Sequence, residues 1–213
     1  MRRTNMIKIM KMPPKEKFAR VTDNMEFDKK FILPLLQRHL GDQAAAELKK
    51  TWQEGVKAIP DDASFEEKYE IAYGNWIWMA RNAYGFTREK MGEEGIEKFD
   101  RAEVEALKRK NASLALHFLG LIRAFSPGSA FIMTAKQMTY QLQWLTPFSV
   151  SELNRERTVM DIPRCKILDY PETEDICLVG CQNTYPAWVA EQFKVNMEFE
   201  RQGNCCKCTL TPL

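Results

Sequence analysis

No stretch of this chain is apolar for long enough to span a membrane, because charged residues interrupt every hydrophobic run well short of about 20 residues. The segment Met1 to Lys17 is basic and carries Pro13-Pro14, yet it has no continuous apolar core and no small-residue cleavage site. A secretory leader is therefore not expected, and the expected compartment is the cytoplasm. Charge of one sign is also missing. The net charge is +2 and basic residues alternate with acidic ones, which leaves no positive stripe for nucleic acid. There is no glycine-rich nucleotide loop, no G-x-S-x-G elbow and no H-E-x-x-H helix, and the chemistries those motifs carry are excluded with them. Histidine is scarce, with only His39 and His117. Cysteine is absent from everything before Cys165.

What is there follows from that last absence. All 6 cysteines fall in the final stretch, at Cys165, Cys177, Cys181, Cys205, Cys206 and Cys208. Small core hydrophobes would be scattered through the long apolar segments as well. A lone cysteine, then C-x3-C, then C-C-x-C, suggests instead that several thiols meet around one site. In a reducing compartment such a set reads as metal-binding, catalytic or redox-active before it reads as a disulfide framework. The 213 residues, 45% hydrophobic and 28% charged, are enough to bury a core without cross-links.

The periodicity predicts an α+β protein. Residues 1–23 read as a flexible arm, and 24–213 as a single domain with a helical half over 24–126 and a sheet-bearing, cysteine-rich half over 127–213. Phe31, Ile32, Leu35 and Leu36 mark a first helix closed by Gly41, with Pro34 kinking it or delaying its start. Asp42 is expected to cap a second helix over 43–58. Ser64 and Glu67 form a capping box ahead of Phe65, Tyr69, Ala72 and Trp76 in a helix expected to end at Gly85, and Gly92 and Gly95 weaken the start of a further helix over 87–110 or split it after Met91. Ser126-Pro127-Gly128-Ser129 is the clearest turn, and beyond it Met138, Tyr140, Leu142 and Trp144 alternate as in a strand. Tyr185 opens a short helix. Val195, Met197 and Phe199 then pair through a Gly203-Asn204 turn with Cys206, Cys208 and Leu210, which turns Cys205 to the opposite face.

These placements generate the candidate chemistry. Cys177 and Cys181, at i and i+4, share a helix face, and Cys206 and Cys208, two apart, share a strand face. With Cys165 they make a candidate zinc or iron-sulfur site, or a nucleophile with a resolving partner, against the alternative of thiols buried as small hydrophobes. No C-x2-C knuckle is present. His117, inside Leu116-His117-Phe118, is either a satisfied core residue or an acid-base group facing a cavity, and Asp161 is a second acid near the cysteines. Arg164 and Arg201, each close to a cysteine, are candidate clamps for a carboxylate. Asn75-Trp76-Ile77-Trp78-Met79 is aromatic enough to line a small-ligand pocket, although such runs are more often core.

Three blocks carry a family resemblance: Ile162-Pro163-Arg164-Cys165, Ile176-Cys177-Leu178-Val179-Gly180-Cys181, and Phe199-Glu200-Arg201-Gln202-Gly203-Asn204-Cys205-Cys206. In these the chain resembles the L-2-amino-thiazoline-4-carboxylic acid hydrolase family and a related family of small cysteine-containing proteins. There one cysteine ends a strand, a second lies near a short helix, and Gly-x-x-Cys closes the last hairpin. The matching positions are Cys165, Cys177 or Cys181, and Cys206. The chain departs where Gln182 follows Cys181 in place of an aspartate, and where Cys208 replaces an aromatic. The resemblance implies hydrolytic opening of a cyclic amidine or thiazoline C–N bond in a small carboxylate. Cys165, Cys181 and Cys206 would serve as nucleophile or metal ligands, His117 or Asp161 as proton carrier, and Arg164 or Arg201 as carboxylate partner. The layout is also similar to 4-vinyl-reductase-type small-molecule-binding domains, which implies a non-catalytic ligand- or metal-binding module. An open sheet edge at the C-terminal hairpin invites a second subunit.

Overall fold

The computed structural model describes residues 7–112 and 114–213. Of the arm expected over 1–23, residues 1–6 lie outside the described residues, and the remainder is largely not an arm. Helix α1 (Pro14–Leu40) starts at the second proline, whose fixed φ suits the first helical turn, and it buries Val21, Met25, Ile32, Leu35 and Leu36. Pro34 is accommodated inside it. Gly41, at φ 88, ends the helix with its N–H donated to the Gln37 carbonyl at 3.0 Å.

Helix α2 (Asp42–Gly55) has no side-chain cap. Asp42 is its first helical residue, not its cap, and accepts a hydrogen bond from Gln37 Nε2 at 2.6 Å. Helix α3 (Phe65–Lys110) begins with the expected box: the Ser64 amide donates to Glu67 Oε2 at 2.9 Å, and the Glu67 amide donates back to Ser64 Oγ at 3.3 Å. The helix continues through Gly85, where the sequence suggested an end, and it is Gly92, at φ 66 and ψ −162, that breaks it. The chain folds back there, so that Tyr84 before the break and Phe99 after it bring their ring centroids to 4.7 Å.

The described residues divide into two compact units, one of residues 13–103 and 170–180, the other of residues 7–12, 104–112, 114–169 and 181–213. The turn at Ser126 is not where they part. In the helical unit, indole donors knit α2 to α3: Trp52 Nε1 donates to the Met79 carbonyl at 2.9 Å, and Trp78 Nε1 to the Thr51 carbonyl at 3.2 Å. Asn75, buried to 2% exposure, accepts from the Lys57 amide and donates to the Lys57 carbonyl, both at 2.9 Å. Replacing Asn75 by alanine strands both backbone groups, with an expected loss of about 2 kcal/mol in urea unfolding. An unchanged midpoint and slope would show that water satisfies them equally well.

The other unit holds the sheet, with α4 (Leu114–Phe125), α5 (Pro127–Gln141), β1 (Ser149–Leu153), β2 (Thr158–Ile162), α6 (Tyr185–Phe193), β3 (Val195–Gln202) and β4 (Cys205–Pro212). The strand expected through Met138, Tyr140, Leu142 and Trp144 is instead the end of α5 and a short 3-10 turn. Ala130, Phe131, Thr134, Ala135 and Met138 are its buried face, a helical spacing that overrides the local alternation. The sheet is four-stranded and antiparallel in the order β1-β2-β4-β3, so the α+β expectation holds. The hairpin turns at Gly203-Asn204 as expected, with Gly203 at φ 61 supplying the positive first position of a two-residue turn. Helices α5 and α6 cover one sheet face, closing a core of Phe131, Ala135, Met138, Val189, Met160, Met197 and Leu210. Among the described residues no helix is long and apolar enough to cross a membrane.

Candidate functional site

Strand register decides what each cysteine can reach. On β4, Cys206 pairs with Ile162 of β2 on one side and Arg201 of β3 on the other, and Cys208 pairs with Met160 and Phe199. Directly paired residues project to the same face with Cβ atoms about 5 Å apart. Cys206, Cys208 and Leu210 therefore continue the core face, which runs from the buried interior at Leu210 out to the end of the sheet. Cys208 and Leu210 are 1% and 0% exposed, whereas Cys206 is half-buried. Cys206 is thus the last residue of the apolar face and the first that water reaches.

Its surroundings are polar on one flank. Arg201, directly across β3–β4, donates its Nε to the Gly203 carbonyl at 2.9 Å, which fixes the guanidinium stem at the turn. Arg201 thus shares the strand face of Cys206. Behind the same turn, the Cys165 amide donates to the Asn204 carbonyl at 2.8 Å, and Cys205 Sγ donates to the Pro163 carbonyl at 3.0 Å. The segment after β2 is in this way strapped to the hairpin tip, with Cys165 buried and Cys205 exposed on the outer face.

Cys208 has the opposite environment. It belongs to the hydrophobic core, and burial, with a smaller contribution from Cys206, pushes its thiol well above the ordinary range. The structure places it as a packing residue of that core. Cys208→Ser places a hydroxyl in an apolar setting, with an expected cost of about 2 kcal/mol, while Cys208 itself resists alkylation until the protein unfolds. Rapid alkylation of native Cys208 would contradict this placement.

The other expected residues separate. Cys177 and Cys181 lie on a π-helix, Ile176–Thr184, with Cys177 buried and Cys181 half-buried. Among the described residues no group of three or more His, Cys, Asp or Glu side chains is placed to share one ion, so the set Cys165, Cys177, Cys181, Cys206 and Cys208 is not a formed metal cage. Asp161 pairs with Lys207, one residue out of step with Cys206, and so points to the outer face of the sheet. That removes it as a direct proton carrier for Cys206. His117 is exposed on α4 and does not face an internal cavity as one sequence reading had it. Arg164 is exposed and paired with Asp169 through Nε at 2.7 Å, which leaves Arg201 as the arginine built into the Cys206 site.

One perturbed carboxyl in the helical unit was not singled out from the sequence. Glu103 accepts a hydrogen bond from the Tyr84 hydroxyl at 3.3 Å, and burial, reinforced by the charges of Asp28 and Asp100, pushes its carboxyl up to about 8. Asp28, also buried, accepts from Trp76 Nε1 at 3.1 Å. The signal available in advance was weak: Glu103 sits among charged neighbours in an ordinary helical run. Neither a family model nor a curated protein matches the chain.

Proposed function

We propose that the protein is a thiol-dependent hydrolase that opens a C–N bond of a cyclic amidine or thiazoline in a small carboxylate, with Cys206 as the nucleophile. The observation that carries the reading is the position of Cys206, half-buried at the open end of the core face and directly across from Arg201. The resemblance of the three cysteine blocks to the thiazoline hydrolases includes Cys206 among its candidates, with Cys165 and Cys181. In the proposed reaction the Cys206 thiolate adds to the ring carbon that bears nitrogen and sulfur, and the ring C–N bond breaks as the nitrogen takes up a proton. Water then adds to the same carbon, and the bond to Cys206 breaks, returning the thiolate and releasing a ring-opened carbonyl product. Arg201 holds the substrate carboxylate and favours the thiolate.

Incubating the purified protein with 2-amino-thiazoline-4-carboxylate and following ring opening by chromatography and mass spectrometry tests the reading. Catalytic formation of the ring-opened acid is expected. Absence of turnover with this compound and with related cyclic amidine carboxylates would contradict it.

A further inference from the structure

The helical unit carries a cleft that the thiol chemistry does not use. It has a volume of about 400 Å³ and is walled by Ile71, Gly74, Ile77, Trp78, Arg81 and Tyr170. That volume is within the range of small-molecule sites, roughly 300–1,000 Å³. Ile71, Gly74, Trp78 and Arg81 recur at intervals of three and four, so one stripe of α3 presents an aliphatic side chain, a gap, an aromatic and a cation in turn. The gap is the glycine. A Cβ at Gly74 would meet nothing closer than the Tyr170 hydroxyl at 3.8 Å, so the space is open at this point because no side chain fills it.

The walls are held in place before any ligand arrives. Trp78 is fixed by its hydrogen bond to the Thr51 carbonyl and by Gly55, where a Cβ would fall 2.0 Å from the indole. The rim at Lys57 is pinned by both amide atoms of Asn75. Arg81 lies with its guanidinium carbon 4.6 Å from the Trp78 ring centroid and donates to the Pro171 carbonyl at 3.2 Å. Its ionic partner Glu172, 3.8 Å away, is 84% exposed and therefore well screened by water, while Arg81 is only 20% exposed. Lys57 adds a second positive charge to the lining and Glu70 the one carboxylate. A half-buried guanidinium lying over the Trp78 ring, within an apolar wall that includes Tyr170, complements a planar body that carries an anionic group.

We propose that this cleft binds a small planar carboxylate, its ring against Trp78 and Tyr170 and its carboxylate on Arg81. This is a second site, in a different compact unit from Cys206, and it does not depend on the hydrolase reading.

Titration calorimetry on the full chain with 1-naphthaleneacetate, and with the neutral 1-naphthaleneacetamide as control, tests it. The acid is expected to bind saturably at one site. Gly74→Leu fills the gap and should weaken binding of both compounds at least about tenfold, with an unchanged circular dichroism spectrum because its Cβ is accommodated. Arg81→Gln should weaken the acid about tenfold and change the amide less than about twofold. No saturable binding of the acid to the wild-type protein, undiminished binding in folded Gly74→Leu, or equal losses of acid and amide in Arg81→Gln would each overturn the proposal.

Discussion

Replacing Glu103 by glutamine is expected to raise the unfolding free energy at pH 8 by about 2 kcal/mol and to flatten its dependence on pH. Burial is the main reason the Glu103 carboxyl is pushed up to about 8, with Asp28 and then Asp100 adding repulsion against the Tyr84 hydrogen bond, which acts the other way. In the unfolded chain a glutamate ionises near about 4.3. Below that value both states hold the proton and the stabilising contribution is complete. Between about 4.3 and 8 the unfolded state has released its proton while the native state keeps it, so the unfolded state binds fewer protons and stability falls as pH rises. Above about 8 the contribution is gone. The full difference would approach about 5 kcal/mol, but Glu103 retains some contact with water, and the expectation is reduced accordingly. Glutamine keeps an oxygen for the Tyr84 hydroxyl and has no charge to bury. Urea unfolding from about pH 5 to about pH 8 provides the measurement: the wild type should lose stability across the range and Glu103→Gln should not. Parallel curves for the two proteins would mean that Glu103 is solvated like a surface glutamate.

The second large effect is on chemistry. Cys206→Ser is expected to lower turnover of the thiazoline substrate by at least about 10³-fold while leaving the unfolding midpoint within experimental error, because an alkoxide is far harder to form than a thiolate and the position is only half-buried. The matching change at Cys205 should do nothing to turnover. Cys205 is adjacent in sequence but projects to the other face, with its thiol on the Pro163 carbonyl. Arg201→Gln should reduce turnover about tenfold or more through both substrate binding and thiolate formation. A Cys206→Ser protein with wild-type turnover would transfer the chemistry elsewhere, with Cys165 and Cys181 as the remaining candidates on the resemblance.

Which parts of this were legible beforehand depended on whether the deciding physics was local. The β3–β4 hairpin could be read because strict alternation flanks a Gly203-Asn204 turn, and the same alternation separated Cys205 from Cys206. The Ser64–Glu67 box and the break at Gly92 are equally local. By contrast, Met138, Tyr140, Leu142 and Trp144 alternate by coincidence at the end of α5. The residues that decide for helix there, Ala130, Thr134 and Ala135, are too small or polar to stand out as an apolar stripe. Residues 14–23 look featureless because their apolar residues, Phe18 and Val21, are few and set among charges, and Pro14 marks a helix start only in hindsight.

The site was legible in part for the same reason. That Cys206 faces the core side follows from its own strand. That Arg201 lies across from it, and that Asp161 lies on the far face, follow from pairings between strands whose register no single segment reveals. The burial of Cys208 depends on α5 and α6 closing over the sheet. The elevated carboxyl of Glu103 needs Asp28 brought from 75 positions earlier in the numbering, and only the fold supplies it.

The central claim is that Cys206, rather than the more accessible Cys205, is the reactive thiol. Competitive alkylation of the native protein with limiting iodoacetamide at neutral pH, read residue by residue by mass spectrometry, tests it most directly. The account predicts that Cys206 is modified faster than the more exposed Cys205, and that Arg201→Gln removes the advantage. Modification that simply follows exposure, with Cys205 first and Cys206 insensitive to Arg201, would contradict it.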